Sequence, residues 1–228
     1  MSDKNTWEEI YKQGNQLNRY PYDSVVTFIY RNYPRNIKKK SVNILEVGCG
    51  AGNNLWFAAR EGFNVTGIDI SKSAIDYVKE RFKQENLDGK FIVSNSAKLP
   101  FEENTFDLVI DRAALTYLDF NGCKTAVNEI NRVLKSEGKF FFNPFSEKHS
   151  SCVSGEYMKN GITFDIKVGI AGCGETCFYG RRDIYNLFDK KWKIESVQHT
   201  ETTEQINPNY FVYADWKIIV RKVNGKDE

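Results

Sequence analysis

A chain of 228 residues, 41% hydrophobic and 27% charged, has the composition of an ordinary globular protein and lies far from the disordered, collagenous and membrane classes. Its 32 Lys and Arg against 30 Asp and Glu leave a net charge of +2, too weak a field to hold a polyanion, so no nucleic-acid partner is expected. The polar start MSDKNTWEEIYKQGN and the absence of any run of about 18 uncharged apolar residues predict a cytoplasmic protein with no membrane partner.

The first elements are helical. Trp7, Ile10 and Tyr11 recur at helix spacing before Gly14, and Val25, Val26, Phe28 and Ile29 do so before Pro34. The basic run at 38–40 reads as a solvated loop. Strands and helices then alternate through VNILEVG, NNLWFAAREG, NVTGIDI, KSAIDYVKERFKQEN, KFIVSNS, FDLVIDR, CKTAVNEINRVLK and GKFFFN. That rhythm predicts parallel strands, five of them by Asn143. Order lapses over 144–180, where glycines fall at 155, 161, 169, 172, 174 and 180. This stretch is either a lid over the pocket or a surface hairpin. RRDIYNLF follows as a helix, and KKWKIESVQHT and YFVYADWKIIVRK as a closing pair of strands. The expected organisation is a single domain over 1–228: a helical cap (1–40), a cofactor-binding core (41–143), an insertion (144–180) and a C-terminal helix and strand pair (181–228).

The chemistry starts at Leu45-Glu46-Val47-Gly48-Cys49-Gly50-Ala51-Gly52, where a buried strand ends and a helix begins. Glycines there let a ligand approach the backbone, and Asp69, ending the next strand, is positioned to accept hydrogen bonds from both ribose hydroxyls. Dinucleotide enzymes require G-x-G-x-x-G, whereas these glycines fall as G-x-G-x-G and position 53 is Asn. A nicotinamide cofactor is therefore disfavoured. The acid before the glycines, Glu46, suits a cationic cofactor that carries no pyrophosphate.

LEVGCGAG, VTGIDISKSAI, SNSAKLPFEENTFDLVI and INRVLKSEGKFFF, in this order, make the stretch from about Val42 to Phe142 resemble the class I S-adenosylmethionine-dependent methyltransferases. The closest likeness is to the small-molecule branch with a Leu-Pro-Phe turn before the fourth strand. The resemblance implies an α/β, Rossmann-like, doubly wound sheet of seven strands, mostly parallel with an antiparallel last strand and helices on both faces. It implies that Gly48, Cys49 and Gly50 line the methionine and ribose portion of S-adenosyl-L-methionine, that Asp69 binds ribose and that Ile70 lies against adenine. Asn95 stands where the family commonly has Asp; its side-chain carbonyl is expected to accept from the adenine amino group, and the amide of Ser96 or Ala97 to donate to a ring nitrogen. Tyr117 stands near where related enzymes often show His, so no general base is carried over. The leading segment, which in related enzymes often folds over the cofactor, brings Tyr11 and Arg19 as cofactor contacts and Tyr20 as an acceptor contact, or else packs on the surface. NPF at 143–145 comes one strand too late for the motif of DNA amino methyltransferases.

Asp111 and Arg112, ending the fourth strand, either border both ligands or form a strand-end ion pair. His149 is the better placed of two histidines for a base, His199 falling within a strand. Tyr117, Tyr179 and Arg181 are candidate acceptor contacts, with Arg181 and Arg182 alternatively a surface pair at a helix start. Five cysteines, odd in number and scattered, predict reduced thiols. His149, Cys152, Cys173 and Cys177 form either a four-ligand zinc set or simply loop thiols and a buried histidine, and no metal is assigned to the site. The expected activity is in-line methyl transfer to an oxygen or nitrogen of a small, anionic or sugar-like molecule, with S-adenosyl-L-homocysteine as product. The alternative is a regulatory protein that binds S-adenosylmethionine or S-adenosylhomocysteine without turnover. The chain is expected to be a monomer or homodimer, with Tyr30 and Tyr33 available to cover the sheet or to form an interface.

Overall fold

A computed structural model describes residues 4–206 and 211–223. Two helices lead, α1 (Lys4–Lys12) and α2 (Asp23–Asn32). The alternating core follows: β1 (Asn43–Val47), α3 (Asn53–Arg60), β2 (Asn64–Asp69), α4 (Lys72–Gln84), β3 (Lys90–Val93), β4 (Phe106–Arg112), α5 (Phe120–Val133) and β5 (Leu134–Asn143). The helix starts are set by side chains: Ser71 Oγ accepts from Ala74 N at 3.1 Å ahead of α4, and Asp119 Oδ1 accepts from Gly122 N at 2.7 Å ahead of α5. The second cap begins α5 earlier than the apolar periodicity alone suggests. The helix expected through Lys135 ends at Val133, and Leu134 to Glu137 are instead drawn into β5. Leu134 pairs with Phe106 and Lys139 with Leu108, and Glu137 adopts a φ of 64° where the register shifts.

Residues 144–180 hold a short helix, α6 (Ser150–Ser154), and a small antiparallel sheet of β6 (Glu156–Tyr157), β7 (Ile162–Phe164) and β8 (Thr176–Cys177). Strands of two and three residues are too short to show a two-residue period, which is why the stretch reads as irregular in sequence. Its two ends are tied together, since Tyr179 N donates to the Phe145 carbonyl at 2.9 Å and Glu147 N to the Tyr179 carbonyl at 3.1 Å. α7 (Arg181–Leu187), β9 (Trp192–Thr203) and β10 (Val212–Lys222) complete the chain.

The main sheet runs β3-β2-β1-β4-β5-β10-β9. Strands β1 to β5 pair in parallel, and β10 is antiparallel to both its neighbours. This is the seven-stranded, doubly wound architecture that the motifs imply. Alternate residues of each central strand enter opposite cores. Leu45, Val109, Phe140 and Phe142 pack with α5 and α7, while Ile44, Leu108, Ile110 and Phe141 pack with α2, α3 and α4. Between β1 and β4 the strand order reverses, which opens a crevice at their carboxyl ends. Tyr30 and Tyr33 pack against Phe57 and Phe63, with ring centroids 6.0 and 5.2 Å apart. All five cysteines are free thiols, and no helix among the described residues is long and apolar enough to cross a membrane.

Phe140 is fully buried between Phe142, Phe188 and Trp192. Phe140→Ala should lower the unfolding free energy by about 3–5 kcal/mol, read as a fall in the urea midpoint with an unchanged slope.

Candidate functional site

The loop after β1 turns tightly enough to need glycine. Gly48 has a φ of 66°, and a Cβ there would stand 2.1 Å from the Ala114 Cβ; Gly50 has a φ of 50°, and its Cβ would stand 2.3 Å from the Tyr11 hydroxyl. Asp69 braces this loop. Its Oδ2 accepts from Gly50 N at 2.9 Å and its Oδ1 from Ser71 N at 2.9 Å. Each oxygen keeps a further lone pair for a ligand hydroxyl. Asp69 is buried, and burial raises its carboxyl above the ordinary value even against these amide bonds.

A cleft of about 530 Å³ opens beside this carboxylate, with Ile70, Asn95, Ser96, Leu115 and Tyr117 among its walls and Trp7 and Tyr11 over it. One expectation needs correction here. Asn95 Oδ1 already accepts from Ala97 N at 2.8 Å, closing a local turn, so the Ala97 amide is spent within the loop and Ala97 does not line the cleft. Ser96 does line the cleft.

The roof is α1, and its fastening is not legible in the sequence. Glu8 reaches the start of α4, where its carboxylate accepts from Ser71 Oγ at 2.7 Å, Ser73 Oγ at 2.7 Å and Ser73 N at 3.2 Å. These bonds, the two hydroxyls above all, hold the carboxyl down at about 2. Trp7 and Tyr11 are carried over the cleft on the same helix, with Trp7 edge-on to Tyr117 at 4.8 Å.

A second cavity of about 190 Å³ adjoins the first under Tyr11. One end is polar: Glu46, Gly50 and Asn54 line it, and Asn54 Nδ2 donates to Glu46 Oε1 at 2.7 Å. Glu46 Oε2 is buried without a hydrogen-bond partner. Burial, with Asp111 and Asp69 near, raises the Glu46 carboxyl to about 8. An orphaned carboxylate oxygen beside a glycine loop is the complement of an ammonium group, so these residues fit the amino-acid end of S-adenosylmethionine. The other end is aromatic, formed by Tyr22, Tyr117, Phe145 and Tyr213 with Ile170 and Cys173 from the insertion. Arg112 lies between the two cavities, stacked at 4.1 Å over Tyr22 and donating from Nη2 to the Tyr213 hydroxyl at 3.0 Å. Trp7, Glu8, Tyr22 and Tyr213 are the residues that sequence reasoning missed. Only Trp7 carried a signal, lying one helical turn before Tyr11.

Several expected residues stand elsewhere. Asp111 is fully buried beneath the floor, where Oδ1 accepts from Ala114 N at 3.0 Å and Leu115 N at 2.8 Å. It shapes the turn in which Ala113 takes a φ of 56°, and it lines neither cavity. Burial lifts its carboxyl to about 7. His149 is fully buried behind Phe145 and Tyr213; its Nδ1 accepts from Ser151 N at 3.1 Å, and burial lowers its pKa to about 4. Neither histidine lines the cavities, and His199 meets Ser146 Oγ at 2.7 Å. Tyr179 is wholly inside the core against Phe142 rather than at an acceptor site, because its backbone bridges to Ser146 and draws the ring inward. Arg19 contributes only its carbonyl, to Arg81, and Tyr20 is exposed, edge-on to Trp56. Arg181 is on the surface over Tyr185. The zinc alternative also fails to assemble: among the described residues no three His, Cys, Asp or Glu converge as a ligand set. Cys173 faces Tyr117, and Cys152 faces Thr163.

Residues 44–138 match the model of a family described as a methyltransferase domain. A curated relative, the malonyl-[acyl-carrier protein] O-methyltransferase of Acetivibrio thermocellus, is 34% identical over 124 residues, covering 50% of this chain and 41% of that protein. The chain thus spans less than half of that relative's length. A SAM-dependent methyltransferase structure from Methanosarcina mazei superposes with a TM-score of 0.71 at 20% identity, covering 90% of this chain and 99% of that one. The Burkholderia thailandensis 1,6-didemethyltoxoflavin-N1-methyltransferase, with bound 1,6-didemethyltoxoflavin and S-adenosylhomocysteine, does so with a TM-score of 0.69 at 13% identity, covering 97% and 87%. At these identities the two structures bear on the fold alone.

The Glu8 latch has a signed pH dependence. A carboxyl held at about 2 against an ordinary 4.5 stabilises the docked helix fully above pH 4.5, and the contribution is lost as pH falls towards 2. Glu8→Gln should therefore speed hydrogen exchange of the α1 amides several-fold at neutral pH while β1 and β4 keep wild-type protection.

Proposed function

We propose that the chain, whose residues 44–138 match the model of a methyltransferase domain, is a class I S-adenosylmethionine-dependent enzyme that moves a methyl group from S-adenosylmethionine to an oxygen or nitrogen of a small, anionic or sugar-like molecule. The observation that carries this reading is the unpartnered, buried Glu46 Oε2 beside the Asp69-braced glycine loop. Glu46 pairs with the cofactor's ammonium, Asp69 accepts from its ribose hydroxyls, Ile70 packs on adenine and the Ser96 amide meets a ring nitrogen. When bound, the cofactor supplies a methyl carbon already activated by a positive sulfur. The protein's part is then alignment and exclusion of water. Trp7 and Tyr11 close the cleft from above, while Gly48 and Gly50 keep the backbone low enough for the cofactor to lie along it.

The acceptor occupies the aromatic end of the second cavity, beside Arg112 and Tyr117. Ile170 and Cys173 line that end, which supports the reading of 144–180 as a lid segment and of 1–40 as a cap. The similar proteins include an O-methyltransferase and an N1-methyltransferase by name, so either acceptor atom is compatible with this fold. Tyr117 in place of a histidine is the observation favouring the second reading, a regulatory protein that binds the cofactor without turnover. Methyl transfer to any acceptor from a labelled methyl donor rejects it.

Calorimetric titration with S-adenosylhomocysteine tests the cofactor site. Saturable binding is expected, at least about tenfold weaker in Asp69→Ala, which loses charge-assisted hydrogen bonds; a folded wild-type protein that binds none sinks the proposal. Glu46 adds a proton count. Its carboxyl, raised to about 8, is protonated at neutral pH in the free protein and ionised when it meets an ammonium. Binding should therefore release a proton near pH 7, seen as a buffer-dependent enthalpy that disappears in Glu46→Gln, and wild-type affinity should weaken as pH falls below about 8.

A further inference from the structure

The site has one cation without a partner of its own. Arg112 lies at the junction of the two cavities, partly buried, its planar face on Tyr22 and a single hydrogen bond to Tyr213. Among the described residues no carboxylate comes within ion-pair distance of it; Asp215, Asp111 and Glu46 are near enough for their charge to be felt, and of these only Glu46 lines a cavity. A guanidinium has five N–H donors in a fixed fork that matches a carboxylate, and a stacked, immobile one has little freedom left to lose on binding. Around it the walls are aromatic, and the space is small.

The other groups facing that space are poor proton acceptors. Burial pushes the hydroxyls of Tyr11, Tyr117 and Tyr213 and the thiol of Cys173 upward, so each remains protonated at neutral pH. Glu46 lines the same cavity, near enough for the Arg112 charge to be felt, but in the proposed reading it is engaged by Asn54 and by the cofactor's ammonium; His149 is sealed behind Phe145 and Tyr213. An alcohol or ammonium acceptor would need a base that this chamber does not offer. An acceptor that arrives ionised needs none.

We propose that Arg112 is the specificity-determining residue for the acceptor and that it recognises the carboxylate of a small aromatic acid, which is methylated on that carboxylate. This rests on the reading of the chain as a methyltransferase. A carboxylate oxygen forms the new bond to the methyl carbon while the carbon–sulfur bond breaks with its electron pair going to sulfur. The sulfonium becomes a neutral thioether, the carboxylate a neutral ester, and no proton moves. The ester no longer carries the charge that Arg112 attracted, so the same contact that admits the acid lets the product go.

The test titrates the S-adenosylhomocysteine-saturated protein with benzoate and phenylacetate, and in parallel with benzamide and phenylacetamide. The acids should bind at least about tenfold more tightly than the amides. Arg112→Gln should remove that preference while its affinity for S-adenosylhomocysteine stays within about twofold of wild type, and Arg112→Lys, which keeps the charge without the fork, should restore part of it. With either acid as acceptor and S-adenosylmethionine kept saturating at every pH, so that the Glu46 titration does not limit binding, the rate of methyl transfer should be flat from about pH 6 to 9, as no group on the acceptor or at Arg112 titrates there. Equal binding of acids and amides, or no binding of either, overturns the proposal. So does a larger loss of S-adenosylhomocysteine than of benzoate in Arg112→Gln, which would give Arg112 to the cofactor's own carboxylate. Failure of the wild type to bind S-adenosylhomocysteine counts against the methyltransferase reading instead.

Discussion

The carboxylate of Asp69 joins the loop after β1 to the start of α4. One oxygen fixes Gly50 in the loop after β1, and the other fixes Ser71 at the start of α4. Ser71 in turn holds Glu8, Glu8 carries α1, and α1 brings the Tyr11 hydroxyl back down onto Gly50. The contacts form a ring around the mouth of the cleft. Each member is weak alone, since a hydrogen bond nets only about 1 kcal/mol, and Glu8 is doubly secured because Ser73 holds it beside Ser71.

The three buried acids at the strand ends behave differently because their surroundings differ. Asp111 receives two backbone amides and serves as a structural anchor, and Asp69 receives two and still faces the cleft. Glu46 has a single side-chain amide and one oxygen with nothing. Leaving a buried polar atom unmatched costs stability, about 1–3 kcal/mol for such a group; Asp111 Oδ2 is unmatched as well but lines neither cavity, whereas Glu46 lines one in which a ligand can make good the loss. The acid that is worst satisfied in the fold is thus the one best prepared for a cation.

The cofactor half of the pocket was legible because its residues are local. Glu46 to Gly52 lie in one turn, Asp69 ends the next strand, and the strand and helix periods are long enough to count. The acceptor half was not, because it is assembled from far apart. Arg112 is flanked by Tyr22 and by Tyr213, 101 residues further on, and Glu8 meets serines 63 and 65 residues away. No local pattern encodes such pairs. Asp111 and Tyr179 show the opposite failure. Both stand at positions that suit a ligand contact, but an inward rotation set by the turn at 113–115 and by the bridge to Ser146 buries them. Ala97 illustrates a third: its amide is polar and close by, yet the Asn95 carbonyl in its own loop takes it first, leaving that carbonyl one lone pair for a ligand.

The base of the insertion is clamped to the sheet, with Phe145 bridged to Asp215 and Ser146 to Tyr179. The segment between 147 and 178 therefore leaves and rejoins the sheet at fixed points; His149, Ile162 and Cys177 are packed into the interior, and its exposed remainder is where change costs the strands beneath least. Divergence can act on one side of the pocket while the other is held constant. A lineage carrying this fold can thus acquire a new chemical clientele by varying the exposed part of one loop, with the glycine loop and the carboxylates around it inherited intact.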